Sequence, residues 1–325
     1  MSGIKTSGEK RLVLVSGRAH PQLALDIATE LGTELVHTDA RTFANGEIYA
    51  RFDESVRGSD AFVIQSHTAP INEWLMEQLI MVDALKRASA KRITVVAPFY
   101  PYSRQDKKGR GREPISARLV ADLFKVAGAD RIMSIDLHAA QIQGFFDGPV
   151  DHLFAMPVLL DHFKEKLDPS TLTVVSPDMG RVRVADIWSD KLGAPLAIIH
   201  KRRDPLVPNR VSVHEIVGQV EGRVCLIVDD MIDTGRTIVL AAEALRNAGA
   251  IGVVVAATHA VFSHPALELL QNPAISEVVV TDTLPIPMDK RFPTLTVLPI
   301  APLLARAIHE VFDEGSVTSM FEGAA

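Results

Sequence analysis

Apolar, β-rich runs alternate with amphipathic helical stretches along almost the whole chain, and this alternation restricts the fold more than any other feature. RLVLVSG at 11–17 reads as a strand entering a turn; HPQLALDIATELG follows, with Leu23, Ile27 and Leu31 on one helical stripe and Gly32 as its stop. AFVIQS, RITVVAP and RIMSIDLH read as further strands. Between them lie INEWLMEQLIMVDALKRASA, with Leu75, Leu79 and Val82 on one face, and ISARLVADLFKVAGA, whose apolar stripe is read as Ile115, Leu119 and Leu123, four apart. The rhythm then returns. MPVLLDHFKEKL, VRVADIWSDKLG, TIVLAAEALRNAGA, HPALELLQ and LLARAIHEVF carry helical patterns among the strands TLTVVSPD, LAIIHKRR, VCLIVDD, GVVVAATHAV, EVVVTD and TLTVLPI. Strands alternating with helices mean βαβ units and mainly parallel sheets. At 325 residues the chain exceeds one such core, so two α/β domains are expected. Their seam falls in GFFDGPVDHLFAMP, 144–157, giving domains 1–150 and 151–325, with the terminal helix able to pack back on the first.

Composition narrows the partners. Apolar residues make up 47% and charged residues 23%, as in a folded soluble protein, and a net charge of -6 gives no global drive toward nucleic acid or acidic membranes. The single cysteine, Cys225, lies inside an apolar strand pattern and reads as a buried bystander. No apolar stretch reaches membrane-spanning length, and MSGIKTSGEK lacks the apolar core of a signal peptide, so a cytoplasmic location is expected.

In open parallel sheets, ligands gather beyond the carboxyl ends of the strands. Three polar clusters sit at such ends: Asp136 and His138 after IMSI, Asp178 after TLTVVSP, and DDMIDTGRT, 229–237, after VCLIV. The last places Asp229, Asp230 and Asp233 at the end of a buried-looking strand, where carboxylates are costly and repel one another. Two readings stand. The segment is a capped strand-to-helix turn with solvated aspartates, or it is a cradle for a phosphorylated sugar. In the second, carboxylates accept from sugar hydroxyls or hold a Mg²⁺ water shell, while turn N–H groups with Thr234 and Thr237 hold the phosphate.

LIVDDMIDTGRT resembles the phosphoribosyl diphosphate motif of the phosphoribosyltransferase fold. FANGE at 43–47, PYSRQDKKGRGREPISA at 101–117, DLHAAQIQGFFDGPVDHL at 136–153 and SPDMGRVRVA at 176–185 narrow the likeness. Together they resemble the ribose-phosphate diphosphokinases of the phosphate-activated, bacterial type, over nearly the whole chain. The resemblance implies two tandem phosphoribosyltransferase-like domains, each with a mainly parallel central sheet flanked by helices. It implies transfer of the diphosphoryl group of MgATP to the C1 hydroxyl of ribose 5-phosphate. It also implies a homo-oligomer, a hexamer built from dimers, activated by phosphate and inhibited by ADP, without nucleic-acid or membrane partners.

Carried over residue by residue, the resemblance gives Phe43 a stacking role against adenine, with Asn45 and Glu47 as polar contacts. It brings Arg104 and Gln105 to ATP, with Asp106 in the same nucleotide region, and has the distal basic loop close over the phosphates. His138 matches a Mg²⁺-contacting histidine. Because Mg²⁺ prefers oxygen, Asp178 stands beside it as the second metal-side residue and as a ribose contact. Lys201 and Arg203 are the catalytic pair, stabilising charge on the transferred group. Asp229, Asp230 and Asp233 orient the ribose, and Thr234, Gly235 and Thr237 hold its 5-phosphate. Asp136 and His138, two apart, share a side if their strand continues. PLVPNRVSVHEIVGQVEG resembles a flap or small hairpin over the C-terminal site. Arg181 and Arg236 stand where the commonest family forms have glycine. Two other functions compete: a phosphoribosyltransferase that consumes the activated sugar, and a non-catalytic regulatory homologue.

Overall fold

The computed structural model describes residues 10–203 and 211–321 and, for 201–203 and 211–214, the backbone alone. The described chain divides into two compact units, one running to Leu153 together with Ala301–Met320, the other Phe154–Ile300 with Phe321.

In the first unit the elements run β1 (Leu12–Ser16), α1 (Pro21–Glu30), β2 (Thr38–Thr42), β3 (Ile48–Phe52), β4 (Asp60–Ile64), α2 (Ile71–Arg87), β5 (Arg92–Val96), α3 (Ser116–Ala127), β6 (Arg131–Ile135) and β7 (Val150–Leu153). Five strands form a sheet in the order β1-β4-β5-β6-β7, every pair parallel. β2 and β3 pair antiparallel as a separate two-stranded ribbon. The parallel strands read as apolar runs because helices cover the sheet: all five residues of β4 are buried, and Val15, Val63, Val95 and Ile132 share one core with Leu85 and Phe124.

The helix α3 presents a different face from the expected one. Leu119 and Leu123 are 57% and 39% exposed, whereas Ala117, Val120, Ala121 and Phe124 are buried. The buried set is the true i, i+3, i+4, i+7 stripe, and its two alanines let the helix approach the sheet closely. Residues spaced strictly by four drift off that face.

The second unit contains α4 (Met156–Lys166), β8 (Leu172–Ser176), α5 (Val182–Leu192), β9 (Leu196–Arg203), β10 (Val211–Val217), β11 (Val224–Ile232), α6 (Arg236–Asn247), β12 (Gly252–Ala260), α7 (Ala266–Leu270), β13 (Glu277–Thr281) and β14 (Leu295–Leu298). Its seven-stranded sheet has the order β10-β9-β8-β11-β12-β13-β14. All neighbours are parallel except β10, which returns antiparallel on β9 at one edge. All nine residues of β12 are buried. Cys225 is buried in this core, and burial raises its thiol to about 11, the state of an inert packing residue. The final helix α8 (Ala301–Phe312) belongs to the first unit, where it packs beside α1. Among the described residues no helix is long and apolar enough to cross a membrane.

Candidate active site

The second unit brings two of the polar clusters together because β8 and β11 are hydrogen-bonded neighbours. β11 stays in strand conformation through Ile232, so Asp229 and Asp230 are strand residues and only Asp233 lies in the turn. That turn ends at Gly235, which caps α6 with φ 75°, a left-handed conformation that glycine adopts without Cβ strain. The 12-residue α6 therefore opens directly beyond the carboxylates, with its N-terminal backbone amides facing the turn. Asp233 and Thr234 are half-buried, while Arg236 and Thr237 are exposed.

At the end of β8 the segment Ser176–Asp178 folds onto itself. The Ser176 hydroxyl donates to the Asp178 carbonyl at 2.7 Å, and Asp178 Oδ1 accepts from the Gly180 N–H at 2.9 Å. This cap starts a short 3-10 turn, Met179–Arg181, that feeds α5. Arg181 thereby arrives beside β11. Its Nε lies 3.3 Å from Asp229 Oδ1 and its Nη2 lies 2.5 Å from Asp230 Oδ1, with only 15% of the arginine side chain exposed. Asp229 Oδ1 also accepts the Asp230 N–H at 2.9 Å. Burial, then the neighbouring Asp230 charge, pushes the Asp229 carboxyl well above the usual carboxylate range, and Arg181 pulls it back. The crowding of carboxylates that the sequence presents is thus offset in part by an arginine 48 positions upstream (Asp229 minus Arg181).

Lys201 and Arg203 lie among the last three residues of β9, which runs between β8 and β10. Their side chains lie outside the described residues, as do the first six residues, 205–210, of the segment read as a flap, 205–222, which continues into β10.

In the first unit, the basic segment follows β5. Arg104, Lys107, Lys108, Arg110 and Arg112 are exposed, and the Glu113 carboxylate closes the loop by accepting the N–H groups of Gly109 and Arg110 at 2.7 and 2.8 Å. Gln105 is held at the root of the loop: its Oε1 accepts from the Ser116 hydroxyl at 2.6 Å. Asp106 is buried and accepts from the Gln141 amide, which ties this loop to the segment after β6.

The strand β6 does not continue to His138. It stops at Ile135, and Asp136 takes φ 39°, so Asp136 and His138 occupy a turn and do not share a strand face. His152 organises that turn from β7. Its Nε2 accepts the Leu137 N–H at 2.9 Å, and burial lowers its pKa to about 4, which keeps the ring a neutral acceptor. FANGE forms the tip between β2 and β3, closed by Phe43 N–H to the Glu47 carbonyl at 2.7 Å and by Asn45 Oδ1 accepting the Glu47 N–H at 3.2 Å. Phe43 is 45% exposed there, with the Arg41 guanidinium 5.9 Å from its ring.

Arg181, Gln141, Glu113 and His152 are the contributors that motif reading left unassigned. Among the described residues, no group of three or more His, Cys, Asp or Glu side chains could hold a metal ion.

Two family models match the chain. One describes the N-terminal domain of ribose phosphate pyrophosphokinase and covers residues 12–128; the other describes the phosphoribosyl synthetase-associated domain and covers 201–322. A ribose-phosphate pyrophosphokinase from Streptomyces avermitilis is 65% identical over 322 residues, 99% of each chain. One from Mycobacterium leprae is 61% identical over 321 residues, 98% of each. The crystal structure of phosphoribosylpyrophosphate synthetase from Mycobacterium smegmatis superimposes with a TM-score of 0.88 at 60% identity, covering 94% of this chain and 100% of that one. With relatives this close along the full length, the chain belongs to the ribose-phosphate pyrophosphokinase family.

Proposed function

We infer that the chain transfers the diphosphoryl group of ATP to the C1 hydroxyl of ribose 5-phosphate, giving phosphoribosyl diphosphate and AMP in nucleotide biosynthesis. The observation that carries this reading is the arginine-balanced carboxylate pair at the end of β11, followed by Gly235 and the start of α6, in a chain of this family. The C1 hydroxyl oxygen attacks the β-phosphorus and gives up its proton to solvent; the bond from that phosphorus to the bridging oxygen breaks, and AMP leaves with the bridging oxygen. No covalent enzyme intermediate is needed, so the protein aligns, neutralises and excludes water.

In this reading Asp229, Asp230 and Asp233 accept from the ribose hydroxyls. Thr234, Thr237 and the backbone amides around Gly235 hold the 5-phosphate at the helix N-terminus. Phe43, Asn45, Glu47, Arg104, Gln105 and Asp106 serve the nucleotide, and the exposed basic loop closes over the phosphates. Lys201 and Arg203 meet the transferred group. Mg²⁺ would be held mainly by the ATP phosphates and water, with Asp178 and His138 as the protein's contacts, and would supply charge neutralisation. The same proposal includes a cytoplasmic homohexamer activated by phosphate and inhibited by ADP.

Incubation with MgATP and ribose 5-phosphate is expected to yield AMP and phosphoribosyl diphosphate in equal amounts. ADP as the sole nucleotide product would mean single-phosphoryl transfer and would end this reading. Base-dependent diphosphate release would mark a phosphoribosyltransferase instead, and no turnover a regulatory homologue.

Arg236 is exposed at the first position of α6. Arg236→Gly is therefore expected to leave the ribose 5-phosphate KM within about twofold, with a stability loss of at most about 1 kcal/mol from glycine in a helix. Titrations at two salt concentrations check this; a large, salt-sensitive affinity loss would place Arg236 on the phosphate.

A further inference from the structure

We propose that Arg181 is a positioning residue of the acceptor site, a built-in counter-ion that keeps Asp229 and Asp230 side by side as hydrogen-bond acceptors for the ribose hydroxyls. This rests on the reading of 229–237 as the ribose 5-phosphate site. One guanidinium reaches both carboxylates through different nitrogens, Nε to Asp229 and Nη2 to Asp230. A planar fork suits two acceptors on adjacent residues; an ammonium is a point charge and suits one at a time. The arginine is also fixed from behind. It ends the 3-10 turn that Asp178 caps, and its own N–H donates to the Asp178 carbonyl at 3.3 Å.

The charges determine the direction of the effect. A half-buried and a buried carboxyl against one guanidinium still present oxygen acceptors to hydroxyl donors. Each carboxylate offers about four lone-pair positions, and the guanidinium contacts recorded here use one oxygen of each, so binding of a diol does not require the arginine to leave. Without Arg181 the two like charges splay apart or share a proton, and either change spoils a pair of acceptors. Asp178, Arg181 and the aspartate pair thus form one unit spanning the ends of β8 and β11.

Steady-state kinetics on the full-length enzyme test this with Arg181→Met and Arg181→Lys. The ribose 5-phosphate KM is expected to rise at least tenfold in Arg181→Met and by an intermediate factor in Arg181→Lys, with the ATP KM unchanged and kcat within about threefold. In a double-mutant cycle, Arg181→Met is expected to raise KM much less in an Asp230→Asn background, since the residue then has one fewer charge to place. An unchanged or lowered ribose 5-phosphate KM in Arg181→Met overturns the proposal, the lowered value by showing that the arginine obstructs the substrate. Loss confined to kcat, or full additivity in the cycle, also overturns it. If Arg181→Met does not fold, Arg181→Lys decides alone, and a wild-type KM there refutes the two-carboxylate role. Failure of the functional reading is seen separately, in the wild-type enzyme producing no phosphoribosyl diphosphate.

Discussion

Lys201→Ala is expected to lower kcat about 10²–10³-fold while the KM values for ATP and ribose 5-phosphate stay within a few-fold. The reason lies in when charge develops. As the β-phosphorus leaves the bridging oxygen, negative charge shifts onto AMP and the equatorial phosphoryl oxygens, and a fixed cation there stabilises the transition state more than the bound substrates. Lys201 lies near the end of a strand, β9, whose neighbour β8 leads into the Asp178 turn and whose other neighbour is the antiparallel β10. Arg203→Ala is expected to act in the same sense, and the double variant to cost less than the product of the two, as for two cations proposed to serve one developing charge. Single-turnover release of AMP, with bound ATP measured separately, checks this. Normal turnover in both single variants removes the pair from catalysis.

The layout of the fold was readable because parallel strands buried on both faces announce themselves as short apolar runs, as in LVLVS, LTVVS and GVVVA. The carboxylate cluster at 229–233 stood out for a related reason: aspartates that end such runs need a partner. What escaped reading depended on packing or on neighbours distant in sequence. The four-residue spacing of Leu119 and Leu123 is as good a local pattern as the true stripe through Ala117, Val120, Ala121 and Phe124, and only contact with the sheet separates them. Asp136 leaves the strand by a left-handed turn that no residue type there demands. Arg181 reads locally as a basic residue at a helix start. Its pairing with Asp229 and Asp230 follows from the adjacency of β8 and β11, which strand order in the chain does not state.

That pairing bears on stability as well as binding, and Asp229→Asn separates the two. Asp229 is held well above the ordinary carboxylate range, first by burial and next by Asp230. A group whose folded pKa is raised above its unfolded value favours folding below the unfolded pKa, near 3.9 for aspartate, and that contribution is lost as pH rises through the folded pKa. As pH rises above the unfolded value, Asp229 therefore costs the free enzyme stability. Asparagine keeps Oδ1 as an acceptor for the Asp230 N–H and Arg181 Nε, and its amide donates toward Asp230 in place of a repelling oxygen. Arg181 keeps its contact with Asp230 in the variant. Asp229→Asn is thus expected to raise stability by on the order of 1 kcal/mol at pH 8, about 2–4 °C in Tm, with the gain shrinking as pH falls toward 4. The same change removes a charged acceptor from the proposed ribose site, so kcat/KM for ribose 5-phosphate should fall roughly 10–100-fold, the worth of a hydrogen bond to a charged group. ATP binding should be unaltered. Thermal denaturation between pH 4 and pH 8, run beside ribose 5-phosphate kinetics, gives both readouts. A variant less stable at pH 8 would show that Arg181 already over-compensates the pair, and unaltered kcat/KM would remove Asp229 from the acceptor site.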